Sequence, residues 1–226
     1  MEPDALRDNS WLMFAFAHDL RAELRTVLTR IQMVQAGSAA LLPEKDRAFL
    51  DEAVAAARDL NGLIDAMVSY TDAGAVAEKT TSLPLLLRGV LVEMKDALAK
   101  AGVSVSVTNE SDATVPFALQ AVIKELFANS CKFRRQDGKP EIRITTQIRD
   151  GSHLEISVVD NGLGVDPGLL DKLFIPFKRM HSRRDYPGFG LGLARCRRLV
   201  EACGGAISAA IPPGGGFAVT VTILVV

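Results

Sequence analysis

The sequence lacks an excess of charge of either sign, since 26 Lys and Arg residues face 27 Asp and Glu residues for a formal net charge of −1. Proteins dedicated to nucleic acid are usually distinctly basic, so this balance argues against a nucleic-acid partner. No apolar run approaches the ~18–20 residues that a membrane span requires. The first residues, Met1-Glu-Pro-Asp, do not resemble a signal peptide. We therefore expect a cytoplasmic protein with no membrane span in this chain.

Cysteine is also scarce. Cys131, Cys196 and Cys203 are odd in number and do not have the spacing of metal ligands, so we expect reduced thiols in or near a core. Two common phosphate-binding motifs are missing from the sequence, the Gly-x-Gly-x-x-Gly fingerprint and the P-loop Gly-Lys-Ser/Thr. Any nucleotide site in this chain must therefore be built in another way.

Helical periodicity dominates the first third of the chain. Apolar residues recur every three or four positions over residues 8–35 and again over 50–71, which predicts two long helices, and the segment between them ends at Pro43, a residue that suits a helix start. A lone antiparallel hairpin cannot cover both stripes, whereas a homodimer through residues 10–70 would cover them as a four-helix bundle. The first stripe comprises Met13, Phe16, Leu20, Leu24, Val27, Ile31 and Val34, and the second comprises Leu50, Val54, Ala57, Leu60, Ile64, Met67 and Thr71.

The rest of the chain mixes helical and strand patterns, so we expect an α+β protein. The predicted domains are a dimerisation domain over residues 1–72, a linker over 73–82 and an α/β domain over 83–226. Within the last of these, helices are predicted at 85–100, 117–133 and 190–203, and strands at 103–107, 141–148, 154–159, 206–211 and 217–225.

Three polar residues share one face of the helix predicted at 117–133. Glu125, Asn129 and Lys132 are spaced by four and three residues, which aligns them along a helix. A carboxylate, an amide oxygen and an ammonium suit Mg²⁺ and a triphosphate, because Mg²⁺ prefers oxygen ligands and keeps waters and phosphate. Taken alone, the triplet is more often a solvated polar face.

Asp160 ends a strongly apolar strand and is followed by Asn161-Gly162-Leu163-Gly164. A carboxylate there can accept a hydrogen bond from the amino group of a purine, while the glycines allow close approach of the backbone. The structural alternative is an Asp-capped turn.

Glycines alternate again at Gly188-Phe-Gly190-Leu-Gly192, where a helix is predicted to open. Free N–H groups and the helix dipole can receive phosphate oxygens there. Between Lys172 and Arg198 lie eight Lys and Arg residues and a single acid, Asp185, which is typical of a site for a polyanion. The alternative is a solvated basic helix face, and we assign Arg197 and Arg198 to it.

Four motifs follow one another in a fixed order over about seventy residues. This order resembles the N, G1, F and G2 boxes of the sensor histidine kinases of two-component signalling, and Ala17-His18-Asp19-Leu20-Arg21 resembles their H box. The lid at 174–187 is most similar to that of the phytochrome-like branch, with Phe174 and Phe177 as its apolar anchors. The motifs are Glu125-Leu-Phe-Ala-Asn129-Ser-Cys-Lys132-Phe133, Asp160-Asn-Gly162-Leu-Gly164, Phe174-Ile-Pro-Phe177-Lys-Arg179 and Gly188-Phe-Gly190-Leu-Gly192-Leu193.

The resemblance implies an α/β sandwich of the histidine kinase/Hsp90-like ATPase type, with ATP and Mg²⁺ as cofactors. It implies that Asn129 ligates Mg²⁺, Lys132 contacts phosphate, Phe133 packs on the base and Asp160 reads adenine. Glu125 is implied near the reacting phosphate as a polarising or basic group. The remaining nucleotide contacts implied are Gly162, Gly164, Phe177, Arg179, Gly188, Gly190, Gly192 and Leu193.

His18 lies between two residues of the first stripe, about two positions from each. At 100° per residue this directs the imidazole away from the buried seam and into solvent, as a phosphoryl acceptor requires. Near pH 7 the ring is partly neutral and keeps a lone pair for attack. The resemblance implies that Asp19 takes the other ring proton.

The implied function is an ATP-dependent protein-histidine kinase. It would phosphorylate its own His18 and pass the phosphoryl group to an aspartate of a response-regulator receiver domain, with a sensor domain absent or on another chain. Two alternatives stay open: another kinase or ATPase of the same superfamily, such as the anti-sigma type of serine kinase, and a nucleotide-binding phosphotransfer scaffold. Ala22 and Glu23 depart from the H box, which usually has Thr or Asn and then Pro at these positions, so weak phosphatase activity is expected.

Overall fold

The computed structural model describes residues 3–38, 41–74, 79–182 and 185–225, with side chains from residue 11 onward and excepting that of Ser38. It divides into two compact units, Met1–Asp72 and Ala73–Val226. Among the described helices, none combines the length and the apolar character that crossing a bilayer requires.

The first unit is a helical hairpin of α1 (Pro3–Ser38) and α2 (Glu44–Asp72). Pro43 stands immediately before α2, and its carbonyl accepts hydrogen bonds from the N–H groups of Asp46 and Arg47. Two contacts between side chains fix the antiparallel register: Arg21 donates to Asp65 at 2.7 Å and Gln35 donates to Asp51 at 2.8 Å. The two predicted helices are confirmed.

The α1 stripe is only partly covered in the single chain. Leu24 and Ile31 of the stripe lie on the inward face, together with Ala17, Arg21, Leu28 and Gln35. Phe16 is 60% exposed, and Leu20, Val27 and Val34 are exposed as well, as expected if a lone hairpin cannot cover both stripes. Helix α1 is thus apolar on two sides, and periodicity alone did not separate the side that faces α2 from the side that faces outward.

The second unit is a mixed five-stranded sheet with three helices, and a separate ladder of two short strands. The sheet has the order β2-β4-β5-β7-β6, with β2 parallel to β4 and the other pairs antiparallel, and β1 pairs with β3. The elements are β1 (Thr80–Ser82), α3 (Leu83–Ala101), β2 (Ser104–Asn109), β3 (Thr114–Pro116), α4 (Leu119–Lys132), β4 (Glu141–Arg149), β5 (His153–Asp160), a 3-10 helix (Pro167–Lys172), α5 (Gly192–Ala202), β6 (Ala206–Ala210) and β7 (Phe217–Leu224).

The core of this unit lies on one face of the sheet. Alternate residues of the three central strands are buried, including Ile144 of β4, Ile156 of β5 and Val221 of β7, because successive side chains of a strand point to opposite faces. These residues form one apolar cluster with Phe127 of α4 and Val200 of α5. The α+β prediction is confirmed, and the predicted strands and helices are present with small shifts at their ends.

Two details differ from the sequence-based expectation. Thr80–Ser82, predicted as the end of a linker, is strand β1, paired with β3. Phe117, predicted to begin a helix, precedes α4, and its N–H donates to the carbonyl of Lys79. Both deviations arise from one three-residue ladder, which is too short to produce a periodic pattern.

Candidate functional site

Asp160 stands at the end of β5, in the centre of the sheet, where its carboxylate is held on both oxygens. Oδ1 accepts a hydrogen bond from the N–H of Gly162 at 2.9 Å, and Oδ2 accepts one from the hydroxyl of Ser130 at 2.7 Å. Ser130 is a buried residue of α4 that sequence reasoning did not single out. These two donors fix the rotamer of the carboxylate and leave lone pairs for a further donor.

The loop after Asp160 lies close to the end of α4. A Cβ at Gly162 would stand 2.7 Å from the carbonyl oxygen of Phe133, and that oxygen accepts a hydrogen bond from Leu163 at 2.9 Å. Gly164 approaches Gly216 in the same way, since its Cβ would lie 2.8 Å from the Gly216 carbonyl oxygen. The motif around Asp160 and the motif on α4 therefore form one site.

The polar face of α4 leads toward the start of α5. A Cβ at Gly192 would lie 2.1 Å from Oε1 of Glu125, so the carboxylate in this position lies directly against the glycine. Asn129 stands one turn further along α4 and is half-buried. Within the described part of the chain, neither side chain makes a hydrogen bond, so both keep their oxygens for other partners.

Lys132 ends the same face in a cationic setting. Its Nζ lies 4.8 Å from the centroid of the Phe133 ring and 2.9 Å from the place that a Cβ of Gly188 would take. Burial lowers the pKa of Lys132 below the ordinary value for lysine and the charge of Arg179 lowers it further, while Glu125 opposes the shift. Two neighbouring cations make this end of the site favourable for an anion.

The segment after the 3-10 helix is anchored by one phenylalanine. Phe174 is buried, and the guanidinium of Arg197 lies 4.5 Å from its ring centroid, so Arg197 is not part of a purely solvated face as expected. Phe177 is 53% exposed, which corrects its expected role as a second apolar anchor. Its backbone has a positive φ of 63°, and its N–H donates to the carbonyl of Gly190 at 2.9 Å.

Three aromatic rings meet at the end of α4. The centroids of Phe133 and His181 are 5.1 Å apart, those of Phe133 and Tyr186 are 5.1 Å apart, and those of His181 and Tyr186 are 5.2 Å apart. The three rings thus form one cluster that joins two residues of the lid to Phe133. Tyr186 was not singled out from the sequence, because its position has no periodic or motif signal.

The glycine motif before α5 packs tightly. A Cβ at Gly190 would lie 2.7 Å from the carbonyl oxygen of Lys178, and Arg179 donates from Nη2 to the carbonyl of Tyr186 at 2.8 Å. Helix α5 begins at Gly192, two residues later than expected, and Leu193 packs against the core. The first N–H groups of α5 thus lie beside Glu125.

His18 belongs to the hairpin unit and is 75% exposed at its side chain. Its Nδ1 lies 3.2 Å from Oδ1 of Asp19. Helical neighbours do not ordinarily face one another, but these two exposed side chains are brought together by their rotamers. Ala22 and Glu23, one turn further along α1, are also exposed.

The residues present fit a magnesium ion that is held chiefly by a nucleotide. Among the described residues, no group of three or more His, Cys, Asp and Glu side chains is arranged to hold a metal. Mg²⁺ in nucleotide sites usually takes only one or two protein oxygens and keeps waters and phosphates. The free amide oxygen of Asn129, with Glu125 one turn away, matches that donor set.

A family model described as histidine kinase-, DNA gyrase B- and HSP90-like ATPase matches residues 114–226. Cyanobacterial phytochrome A of Nostoc sp. is 31% identical over 206 residues, which cover 88% of this chain and 26% of the relative. The phytochrome-like protein Cph1 of Synechocystis sp. is 29% identical over 203 residues, with coverage of 88% and 27%. The chain therefore spans about a quarter of the length of these curated relatives.

The solved structure of full-length ShkA in complex with AMPPNP has a similar fold. It superimposes with a TM-score of 0.68 at 22% identity and covers 95% of this chain and 46% of that chain. At this identity the likeness concerns the fold alone. Fold, ordered motifs and family match agree: the chain belongs to the histidine kinase-, DNA gyrase B- and HSP90-like ATPase family and has the catalytic core of a sensor histidine kinase.

Proposed function

We propose that this core is an ATP-dependent protein-histidine kinase that phosphorylates its own His18 and passes the phosphoryl group to an aspartate of a response-regulator receiver domain. The observation that carries the proposal is the combination of an exposed, hydrogen-bonded histidine on a helical hairpin with an ATPase-family site in the second unit. An ATPase of the same family without the histidine hairpin would have no acceptor of this kind.

The site has two chemically distinct ends that suit the two ends of ATP. Asp160, braced by Ser130 and Gly162, presents carboxylate lone pairs to the adenine amino group. Lys132 and Arg179 supply positive charge for the phosphates, with Gly188 leaving room beside the ammonium. A bound triphosphate would relieve the repulsion between these two cations, so charge favours the loaded state.

Phe133 connects the two ends and is the residue proposed to pack on the base. It follows Lys132 directly, and its carbonyl holds the loop after Asp160 through Leu163. His181 and Tyr186 of the lid both contact its ring. The lid and the base platform are thus linked by contact between side chains.

Asn129 is proposed as the protein ligand of Mg²⁺, which when bound neutralises charge on the phosphates during transfer. Glu125 lies against the first residues of α5 and is placed to polarise the attacking group or to accept its proton. Gly192 and Leu193 open α5 at this point, so their N–H groups are available to phosphate oxygens.

His18 acts as the nucleophile in this proposal. With a proton on Nδ1 directed to the Asp19 carboxylate, the lone pair of the neutral ring lies on Nε2. Nε2 forms a bond to the γ-phosphorus as the bond from that phosphorus to the β–γ bridging oxygen breaks, and ADP leaves with the electron pair. Transfer to the partner's carboxylate then breaks the N–P bond and restores the neutral imidazole.

In this proposal two copies of the hairpin associate through residues 10–70 as a homodimer. Phe16, Leu20, Val27 and Val34 of α1 and Leu60 of α2 are exposed apolar residues that a second hairpin would cover. Burying apolar surface of this kind is the main driving force for helix bundles.

The test is incubation of the chain with γ-labelled ATP and Mg²⁺. The unmodified chain should acquire a phosphoryl group that is labile in acid and stable in base. His18→Gln should abolish the label while nucleotide binding persists. His153→Gln, which removes an exposed histidine from β5, is the matched control and should leave the label unchanged. Label that survives His18→Gln would refute the assignment, and acid-stable label on a serine would indicate the anti-sigma type of kinase.

A further inference from the structure

The loop that closes the last hairpin of the sheet, residues 211–216, is in contact with the backbone of Asp160. A Cβ at Gly216 would lie 2.0 Å from the carbonyl oxygen of Asp160 and 3.0 Å from the Cα of Asn161. Gly216 also has a φ of +90°, a conformation that other residues rarely adopt. None of the four motifs that define the site includes this glycine.

We infer that Gly216 and Arg135 are positioning residues. They hold the loop after Asp160 in the position at which the Asp160 carboxylate can bind a purine base, and we call the pair the brace. The inference rests on the proposed nucleotide site. It extends that site to the β6–β7 hairpin, which follows the four motifs in the sequence. Gly216 acts by close packing of backbone, and Arg135 acts by bridging two loops.

A side chain at position 216 would displace more of the chain than the carbonyl group of Asp160. Contacts between a Cβ and another heavy atom are essentially never shorter than 3.0 Å, so a Cβ at 2.0 Å demands a displacement of about 1 Å. The next residue is tethered, because Asn161 Oδ1 accepts from the N–H of Glu141 at 2.8 Å and Asn161 Nδ2 donates to the Lys139 carbonyl at 2.8 Å. A displacement would therefore be transmitted to the Asp160 carboxylate and its contact with Ser130.

Arg135 joins the same two loops from the exposed side. Its Nε donates to the carbonyl of Gly162 at 3.0 Å, and its Nη2 lies 3.1 Å from the place that a Cβ of Gly215 would take. The guanidinium is thus hydrogen-bonded to the backbone of one loop and lies close to that of the other. Removing it should loosen the loop without disturbing the buried core.

The brace contacts the base end of the site and does not contact the phosphate end. Lys132 belongs to α4, Arg179 to the lid and Gly188 to the glycine motif before α5. No contact among the described residues links them directly to Gly216. A defect in the brace should therefore weaken ATP binding while sparing a ligand that has phosphates and no base. Loss of the fold as a whole would weaken both ligands together.

The chain supplies a matched control for each variant. Gly214 has a φ of +98° and no atom within 4 Å of a Cβ, so Gly214→Ala introduces backbone strain of the same kind without the clash. Arg134 lies next to Arg135 but donates to the carbonyl of Cys131 at 2.7 Å, so Arg134→Ala removes the same charge without touching the Asp160 loop.

The experiment measures the affinity of the full chain and its variants for ATP and for inorganic tripolyphosphate by calorimetry, with Mg²⁺ present. Relative to Gly214→Ala, Gly216→Ala should lower ATP affinity by about ten- to a hundredfold, the range for a lost hydrogen bond to a charged group. Arg135→Ala should lower it by a smaller factor relative to Arg134→Ala. Tripolyphosphate affinity should be the same within each pair.

Equal ATP affinity within both pairs would overturn the inference, as would parallel losses for ATP and tripolyphosphate. If Gly216→Ala does not fold, the Arg135 and Arg134 pair decides alone by the same criterion. Asp160→Asn in the same series separates this inference from the proposed site. ATP affinity that falls with Asp160→Asn but not with the brace variants would overturn the brace only, whereas unchanged affinity with Asp160→Asn would refute the base-reading site itself.

Discussion

The hairpin and the α/β unit bury their apolar residues in different ways. Among the described side chains of the hairpin, the buried apolar residues are Ala17, Val54, Ala57 and Ile64, and only one of them is large. The α/β unit buries Phe127, Leu83, Ile123 and many other large side chains completely. The second unit thus forms its own core, whereas the hairpin leaves many of its large apolar side chains exposed.

The polar contacts show the same contrast. The hairpin is joined across its helices by exposed pairs such as Arg21 with Asp65, and pairs of this kind contribute only about 0.2–1 kcal/mol each. The α/β unit is joined by continuous ladders and by buried hydrogen bonds, including the one between Ser130 and Asp160. The proposed homodimer would supply the burial that the hairpin lacks, whereas the α/β unit has a core of its own.

Leu60→Glu should prevent two hairpins from associating in the proposed dimer. Leu60 is 43% exposed in the single chain, so a glutamate is tolerated there until a second hairpin buries it, at a cost of several kcal/mol. The variant should sediment as a monomer at micromolar concentration and keep the ATP affinity of the unmodified chain. A variant that stays dimeric, or an unmodified chain that is already monomeric, would contradict the proposed seam.

Ile64→Glu distinguishes the contact between two hairpins from the contact between α1 and α2 within one chain. Ile64 is only 4% exposed, so its glutamate would be buried between α1 and α2 of one chain. We expect this variant to lose helicity by circular dichroism as well as dimerisation, whereas Leu60→Glu should lose dimerisation alone.

The sequence predicted the regular elements well and the faces of α1 poorly. Periods of two and of three to four residues are local properties, so strands such as β4 and helices such as α4 were identified from the chain itself. Which side of α1 contacts α2 depends on a second helix, so periodicity did not separate the stripe residues that face α2, such as Leu24, from those that face outward, such as Phe16. Ser130, Tyr186 and Gly216 were missed because their roles arise only when distant segments meet.

The next effect in size concerns the α/β unit alone. Asp160→Asn places an amide where the adenine amino group needs an acceptor, and a hydrogen bond to a charged group is worth about 1.5–3 kcal/mol. ATP affinity by calorimetry should fall by about ten- to a hundredfold, while the sedimentation of the dimer stays unchanged. Unchanged affinity would remove Asp160 from the base-reading role.

The lowered pKa of Lys132 predicts a pH dependence of nucleotide binding. Phosphate stabilises the ammonium, so binding raises the pKa again and requires a proton wherever the free site has lost one. ATP affinity should therefore be constant below the lowered pKa and fall as the pH rises through it toward the ordinary value of 10.5. We expect a loss of about tenfold or less, because a neutral amine still donates hydrogen bonds.

Lys132→Arg is the control for this dependence, since a guanidinium stays charged throughout the range. Its ATP affinity should be independent of pH where that of the unmodified chain falls. Parallel profiles for the two proteins would show that another group titrates.

The smallest expected effect lies next to His18 on the hairpin. Ala22 provides no hydrogen bond to a water that attacks the partner's phospho-aspartate, and Glu23 adds negative charge near an anionic phosphoryl group. The unmodified chain with ADP should scarcely accelerate decay of a phosphorylated response regulator, and Ala22→Thr should increase that rate modestly. Clear acceleration by the unmodified chain would show that other residues position the water.

The central claim is that the α/β unit delivers the γ-phosphoryl group of ATP to the histidine of the hairpin. The most direct measurement is site mapping of the phosphorylated chain by mass spectrometry under neutral conditions after incubation with ATP and Mg²⁺. We expect one phosphoryl group, on the peptide that contains His18. A chain that binds ATP with Asp160 but carries no phosphoryl group, or carries it on a serine or on another histidine, would contradict it.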